Sequence, residues 1–361
     1  MNAQQLWFTK PFQVELREQP LSAPETGQVL VRTLYSGISA GTEMLVYRGQ
    51  IPESMSLDAS LDESLDESLD AGLDESLDAV GAGQLAYPLQ YGYACVGVIE
   101  QVGNGVSEDM LGVTVFSFQP HASHFICPVS AVIPLPEGVD PQAAVFLANM
   151  ETAVNLVLDA KPLLGEHAVV LGQGVLGLLT TSLLTQFPLA SLLAVDAIET
   201  RRSLAQQAGA SQVYDPNSAS DIASLRKNLN SGAANGGADL VLELTGSPAA
   251  LDLAVENCGY AGRIVVGSWY GSKRAEINLG ERFHRHRMSI VSSQVSTIAP
   301  ELTGRWDKAR RFALAWEMIN KCQPEQFITH SLPISRAAEA YQLLDANAAD
   351  AVQVVFDYSA A

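Results

Sequence analysis

VVLGQGVLGLL, residues 169–179, joins a short apolar run to a second one through the turn Gly172-Gln173-Gly174-Val175-Leu176-Gly177. The spacing is G-x-G-x-x-G, set directly after a predicted strand and at the opening of a predicted helix. Such a turn needs its first glycine for a tight bend and its second so that backbone can approach a pyrophosphate. The third lets helix and strand pack closely. The free N–H groups and positive dipole end of the helix then face the phosphates. The next predicted strand, LLAVD, ends at Asp196, nineteen residues beyond Gly177. An acid there accepts the ribose hydroxyls of NAD and repels the 2′-phosphate of NADP. Arg201 and Arg202 supply the opposing reading, because a nearby arginine could receive that phosphate. Asp196 could also merely cap the following helix. NAD is the expected cofactor, ahead of NADP.

Working outward, residues 168–195 contain no charged side chain and are long enough to span a bilayer. Three glycines and Pro188 interrupt them, with Gln173, Gln186 and several hydroxyl residues inside. A buried strand–helix–strand unit is equally apolar, since helices cover both faces of a parallel sheet. The glycine motif favours that second reading, so no membrane contact is expected. SQVYD, DLVLEL and RIVVG read as further short buried strands, separated by ETRRSLAQQAG and SPAALDLAVENCG with helical spacing. This β-α-β rhythm predicts a doubly wound parallel sheet, an α/β Rossmann arrangement. Ligands of such sheets lie outside the carboxyl ends of the strands. Thr245 and Gly246 in ELTGSP, with Gly267 and Ser268 in VVGSWYG, are therefore candidate neighbours of the nicotinamide half.

The first ~140 residues have another texture: short strands such as QVLVRTLYSG and YACVGVIEQVG, punctuated by Pro120, Pro128, Pro134, Pro136 and Pro141. They predict an irregular β-rich domain. Near the other end, DKARRFALAWEMINKC and SRAAEAYQLLDAN predict amphipathic helices and VQVVFDY a closing strand. Residues 56–79 are six tandem tetrapeptides of the SLDE type, with leucines every fourth residue from Leu57 to Leu77. A period of four walks a leucine stripe round a helix by roughly 40° per repeat, so it cannot pack straight along one neighbour. An acidic calcium- or partner-binding arm is one reading; a low-complexity insert in a surface loop is the favoured one.

The net charge of −19, nine of whose acidic contributors lie in residues 57–79, opposes nucleic acid or an anionic membrane as partner. With 47% hydrophobic residues the chain can fill two cores. Cys95, Cys127, Cys258 and Cys322 form no CxxC pair, so neither a four-cysteine zinc lobe nor a redox dithiol is signalled. The amino-terminal residues lack the apolar core of a signal peptide, and a reducing cytoplasm is the expected location.

Taken in order, LYSGISAGTE, GYACVGVIEQVG, VVLGQGVLG, GADLVLELTGSP and RIVVGSWYG resemble the medium-chain dehydrogenase/reductase superfamily along essentially the whole chain outside the repeat. LANMETAVN and FHRHRMSIVSSQV add a similarity to bacteriochlorophyllide hydroxyethyl dehydrogenase-like proteins. The resemblance implies a GroES-like catalytic domain built from 1–142 and 320–361, carrying the 56–79 insert. It implies a Rossmann domain over 143–319, and a homodimer. In zinc alcohol dehydrogenases of this superfamily SGISAGTE would read SGICGTD, with cysteine as first metal ligand; here Ser39 stands there, with an extra residue. The family's GHE, carrying the second ligand, becomes Gly92-Tyr93-Ala94, while Glu151 survives in the region of the third. Serine and tyrosine are poor substitutes for thiolate and imidazole on zinc, so no catalytic zinc is expected. An unorthodox site from His121, His124, Cys95 and Glu151 is the competing reading.

Without zinc, another group must polarise a carbonyl or take an alcohol proton. The candidates are Thr42 and Tyr93 as hydroxyl donors and His121 or His124 as proton shuttle, with Glu43 and Glu151 orienting them or meeting substrate. FHRHR at 283–287 is either an anion clamp or a solvated turn. The leading expectation is an NAD-dependent oxidoreductase acting on a secondary alcohol or ketone. The rivals are an NADPH-dependent zinc-free quinone or enone reductase, and a non-catalytic nucleotide-binding scaffold.

Overall fold

The computed structural model describes residues 1–50, 86–230, 236–271, 273–346, 349 and 351–359. The tetrapeptide repeat lies outside the described residues. The chain divides into two compact units, Met1–Ala148 with Gln323–Ala361, and Asn149–Cys322.

The first unit is β-rich. An antiparallel hairpin, Asn2–Lys10 with Gln13–Pro20, accompanies a seven-stranded sheet centred on the long strand Gln28–Ile38. That strand pairs antiparallel with Cys95–Val102, with His124–Pro128 and with Gln353–Asp357. The last pairing aligns Val354 with Ile38, so the carboxyl-terminal strand is part of the same sheet as the amino-terminal ones. Phe8, Met44, Tyr341 and Phe356 share one core, in which Phe8 meets Tyr341 edge-on at 5.2 Å. Inside this strand-rich unit the segment Thr42–Arg48 is helical, where only strands and turns were expected. Glu43 sits in its first turn, and Gly49 closes it in the left-handed region with its N–H on Leu45 and Val46 carbonyls. Burial of Met44, Val46 and Tyr47 then outweighs the weaker helix propensity of the β-branched Val46 and the aromatic Tyr47.

The second unit is a six-stranded, wholly parallel sheet. In spatial order its strands are Gln212–Tyr214, Ser191–Val195, His167–Leu171, Ala238–Glu243, Cys258–Val266 and Ser289–Ser292. Numbered along the unit, this is the 3-2-1-4-5-6 order of dinucleotide-binding folds, with the switch point beside His167–Leu171. The charge-free stretch resolves into strand His167–Leu171, helix Val175–Leu184 and strand Ser191–Val195. Ten residues of helix rise only about 15 Å. Among the described residues no helix is long and apolar enough to cross a membrane. The hydroxyls inside this helix are satisfied locally, Thr180 donating to Leu176 O (2.7 Å) and Ser182 to Leu178 O (2.9 Å).

Two ion pairs brace the second unit. Arg263 forms a two-pronged bridge to Glu166, both N···O distances 2.6 Å, and also donates to the Ala160 and Lys161 carbonyls. Helix Lys308–Cys322 buries Phe312, Ala315, Trp316 and Ile319 at helical spacing, together with Arg311. That guanidinium donates to Glu151 from Nε (3.0 Å) and Nη2 (2.7 Å), and to Asn155 Oδ1 (2.7 Å). Removing one partner of such a buried pair leaves an uncompensated charge. Arg311→Leu is therefore expected to cost about 3–5 kcal/mol in denaturant unfolding, and adding Glu151→Leu should recover much of that loss. A single variant within about 0.5 kcal/mol of the parent would contradict the pairing as a structural brace.

Candidate functional site

At the carboxyl ends of the parallel strands the glycine turn forms a cradle. Gly172 has φ +88°, and a Cβ there would lie 2.8 Å from the Leu244 and Thr245 backbone. At Gly177 a Cβ would be 1.9 Å from Gly172 O, so only hydrogen fits where helix meets strand. At Gly174 nothing lies within 4 Å of the Cβ position. That open face is where backbone N–H groups can approach a pyrophosphate, and Val175 and Leu176 begin the helix behind it. Gln173 turns inward instead, its side chain bonded to Val170 O (3.2 Å) and Thr181 Oγ1 (3.0 Å).

Asp196 is buried immediately after its strand and accepts the Gln173 N–H (2.7 Å) and the Ile198 N–H (2.8 Å). It thus ties the glycine turn to the second strand. The following helix is capped at Ile198, not at Asp196. An ionised carboxylate has about four lone-pair directions, so acceptor capacity remains for ribose hydroxyls. Arg202 donates to Asp196 O (2.8 Å) and lies 3.5 Å from Asp215, while Arg201 precedes it on the same helix.

Thr245, Gly246, Gly267 and Ser268 come together around Glu243, a fully buried carboxylate that sequence reading missed. Thr245 donates to it from both N and Oγ1, and Tyr270 donates its hydroxyl. Gly246 N–H meets Ser268 Oγ at 2.9 Å, and Gly267 N–H meets Glu243 O at 3.1 Å. Burial, then the Glu243 carboxylate, pushes the Tyr270 hydroxyl well above its ordinary range. The available signal was an acid at a strand end, one residue ahead of Thr245-Gly246. These features fit a dinucleotide: an open glycine face, a helix N-terminus, and an acid at the second strand's end.

The first unit holds a second constellation. Glu43, with no exposed surface, accepts Ser39 N–H (2.8 Å) on Oε1. Its Oε2 accepts the Tyr341 hydroxyl (2.6 Å) and lies 2.9 Å from His121 Nε2. The other ring nitrogen, Nδ1, is 2.7 Å from Ser36 Oγ, which in turn is 2.9 Å from the Tyr358 hydroxyl. His121 is completely buried and packs against Gly92, where a Cβ would be 2.9 Å from its ring. Beside this group, Tyr93 donates to Ser39 Oγ at 2.6 Å, and Thr42 N–H also reaches that oxygen at 3.3 Å. Desolvation raises the Tyr93 pKa; hydrogen bonds with Ser39 and Thr42 pull it down, and the Glu43 charge adds to the rise.

Thr42, Glu43, Tyr93 and His121 are thus brought together, with Ser36, Tyr341 and Tyr358 as members that sequence reading missed. His124 is elsewhere, bonded to Ser123 Oγ (3.1 Å) and 3.8 Å from Glu100, with burial lowering its pKa. Glu151 belongs to the second unit, where Arg311 engages it. Cys95 donates towards Gln119 O at 3.2 Å, and desolvation holds its thiol strongly protonated. Among the described residues no three His, Cys, Asp or Glu side chains are grouped to hold a metal ion. The donors that stand where the family places metal ligands do not fit zinc: two are hydroxyls bonded to each other. The FHRHR segment begins at the last residue of a π-helical turn, Leu279–Phe283, and His284 and Arg285 are exposed.

Residues 175–314 match the zinc-binding dehydrogenase family. The chain is similar to D-guloside 3-dehydrogenase of Escherichia coli, 26% identical over 64% of this chain and 65% of that protein. It is also similar to D-xylulose reductase A of Aspergillus oryzae, 26% identical over 43% of each. The chain thus covers less than two thirds of the length of these curated relatives. In three dimensions it superposes on an Escherichia coli alcohol dehydrogenase solved with NADH. The TM-score is 0.75, with 20% identity and 99% of each chain covered.

Two outcomes follow. A methyl at Gly177 collides with backbone whereas one at Gly174 meets open space. Gly177→Ala should therefore lower stability by about 1–3 kcal/mol. Gly174→Ala should melt like the parent but lose NADH affinity, read by fluorescence titration; equal melting of both variants would contradict the cradle. Burial also raises the pKa of Tyr93, Tyr341, Tyr358 and Cys95 in the folded chain. Their stabilising contribution is complete below the unfolded values, about 8.5 for Cys and 10 for Tyr. It is lost as pH rises towards the higher folded values. Thermal melts should hold steady near pH 8 and fall from about pH 9 upwards; a Tm that rises there would refute the assignment.

Proposed function

We propose that this chain, whose residues 175–314 match the zinc-binding dehydrogenase family, moves a hydride between NAD and a secondary alcohol or its ketone, on a sugar or polyol, without catalytic zinc. The observation that carries this reading is the 2.6 Å hydrogen bond from Tyr93 to Ser39. At the two positions where the resemblance expects thiolate and imidazole ligands stand hydroxyls that satisfy each other. The choice of substrate class rests on the relatives named for a guloside and a xylulose.

The glycine cradle and Asp196 would hold the dinucleotide, which when bound supplies the hydride chemistry. This chain's own residues supply the proton and orient the oxygen. Tyr93 keeps its proton through neutral pH as any phenol does, and desolvation raises its pKa further, so its hydroxyl is a donor. In the reducing direction it swings its O–H from Ser39 to the carbonyl oxygen, and that oxygen takes the proton as the carbon is reduced. The Ser39 and Thr42 hydroxyls then donate to the phenolate and hold its charge until solvent returns a proton. Glu43 fixes Ser39 through its backbone N–H, and His121 with Tyr341 fixes Glu43. His121 is therefore a positioning residue, with both nitrogens engaged inside the unit. Asp196 selects NAD by repelling a 2′-phosphate.

Tyr93→Phe removes the proton donor and leaves the ring. We expect kcat for ketose reduction to fall about 10²–10⁴-fold, with NADH affinity unchanged by fluorescence titration and NADPH binding weaker than NADH. Overnight treatment with a chelator should leave the parent's activity intact. Activity lost to the chelator and restored by zinc would overturn the proton-donor role, and failure to bind either dinucleotide would overturn the dehydrogenase reading.

A further inference from the structure

The parallel pairing of Gln212–Tyr214 with Ser191–Val195 sets Tyr214 opposite Val195. Each strand is followed at once by an aspartate, Asp215 after the first and Asp196 after the second. Neighbouring strands lie about 4.8 Å apart, so the register alone brings two acids side by side at the carboxyl edge of the sheet. The Asp196 N–H donates to Tyr214 O at 3.1 Å, which carries the pairing onto the aspartate itself.

A guanidinium stands between the two. Arg202, on helix Glu199–Gln207, donates from Nη1 to Asp196 O at 2.8 Å, and the same nitrogen is 3.5 Å from Asp215 Oδ2. Asp215 is braced in that position. Its Oδ1 accepts the Asn217 N–H at 2.8 Å, and its own N–H donates to Asp221 Oδ2 at 3.0 Å. That leaves Oδ2 to face the arginine. The Arg202 and Asp215 side chains are 18% and 26% exposed, so water and salt screen them less than a pair lying fully on the surface. Asp221 feels the same cation: hydrogen bonds from Asp215 and Ser218 hold its carboxyl below the ordinary range, and the Arg202 charge adds to them.

Beyond the second strand of such a fold, an acid receives the ribose hydroxyls of NAD, whereas an arginine nearby accommodates the 2′-phosphate of NADP. This chain has both, and Arg202 is bonded to the backbone carbonyl of Asp196 itself. A phosphate group carries up to about two negative charges and needs a guanidinium whose charge is still available. The charge of Arg202 is met by Asp215 before any ligand arrives. A dinucleotide without the 2′-phosphate asks nothing of Arg202, and its ribose hydroxyls find Asp196.

We propose that Asp215 is a specificity-determining residue for NAD: by pairing with Arg202 it withdraws from a 2′-phosphate the cation bonded to Asp196. Asp196 repels the phosphate directly, whereas Asp215 acts through Arg202 and needs no contact with the dinucleotide. This inference rests on the dinucleotide reading given under the proposed function.

The test is a double-mutant cycle on the full chain, read by fluorescence titration with NADH and with NADPH. Asp215→Asn keeps an oxygen for the Asn217 N–H and removes the charge; Asp215→Ser does the same with a smaller side chain if the amide variant misfolds. Arg202→Met supplies the background without the cation. Asp215→Asn is expected to tighten NADPH binding about tenfold, with the NADH Kd within about threefold of the parent. The gain should shrink as salt rises from about 0.05 to about 0.5 M. In the Arg202→Met background the same substitution should change NADPH affinity by less than about threefold. A tenfold gain that persists without Arg202 would mean direct repulsion or another cation, and would overturn the role given to Asp215. So would an Asp215→Asn variant that binds NADH and gains nothing for NADPH, an outcome that leaves the dehydrogenase reading standing. NADPH bound by the parent as tightly as NADH would likewise contradict the pairing as a selector. If neither parent nor variants bind either dinucleotide, the dehydrogenase reading itself falls and takes this inference with it.

Discussion

The buried carboxylate of Glu43 is the constraint on which the first unit depends. A carboxylate removed from water costs several kcal/mol unless its lone pairs are met. Here a backbone N–H, a tyrosine hydroxyl and an imidazole meet them. Those partners come from Ser39, Tyr341 and His121, so satisfying one side chain requires the helix Thr42–Arg48, a middle segment and the carboxyl-terminal helix to converge. The same bonds fix Ser39, and Ser39 fixes Tyr93. The chemistry proposed for Tyr93 therefore rests on a residue that needs no contact with substrate.

The second unit solves a different problem. Its backbone is open on one side of the glycine turn and tightly packed on the other. Gly174 and Gly177, three residues apart, divide those tasks: the first faces open space, and the second lets a helix rest on its own turn. Asp196 then ties that turn to the neighbouring strand through the Gln173 N–H while keeping acceptor capacity of its own. Arg311 and Arg263 do for this unit what Glu43 does for the first, each drawing carboxylate and backbone or amide acceptors onto one buried or half-buried guanidinium.

Much of this was legible because it is local. Strand, turn and helix at 167–184, the acid at 196, and the alternation that followed are periodicities of two and 3.6 read over a few residues. The helix Thr42–Arg48 was not legible, since its propensity is ordinary and the burial of Met44 and Tyr47 that stabilises it comes from distant parts of the chain. Glu43 and Thr42 could be singled out beside a changed motif. Ser36 and Tyr358 could not, because a serine 322 residues from its tyrosine carries no sequence signal. Glu151 shows the converse: it stood in a suggestive motif, yet its partner is Arg311, 160 residues on.

From the sequence alone came the parallel sheet, its glycine cradle and the loss of thiolate and imidazole at two expected ligand positions. These are matters of residue type and short-range spacing, which the chain carries wherever it goes. Tertiary structure alone decided that Tyr93 and Ser39 bond each other, that His121 holds Glu43 from inside the core, and that Glu151 is engaged by an arginine. Each depends on which buried polar atoms meet, and a buried donor or acceptor must find its partner among groups that only folding brings within 3 Å.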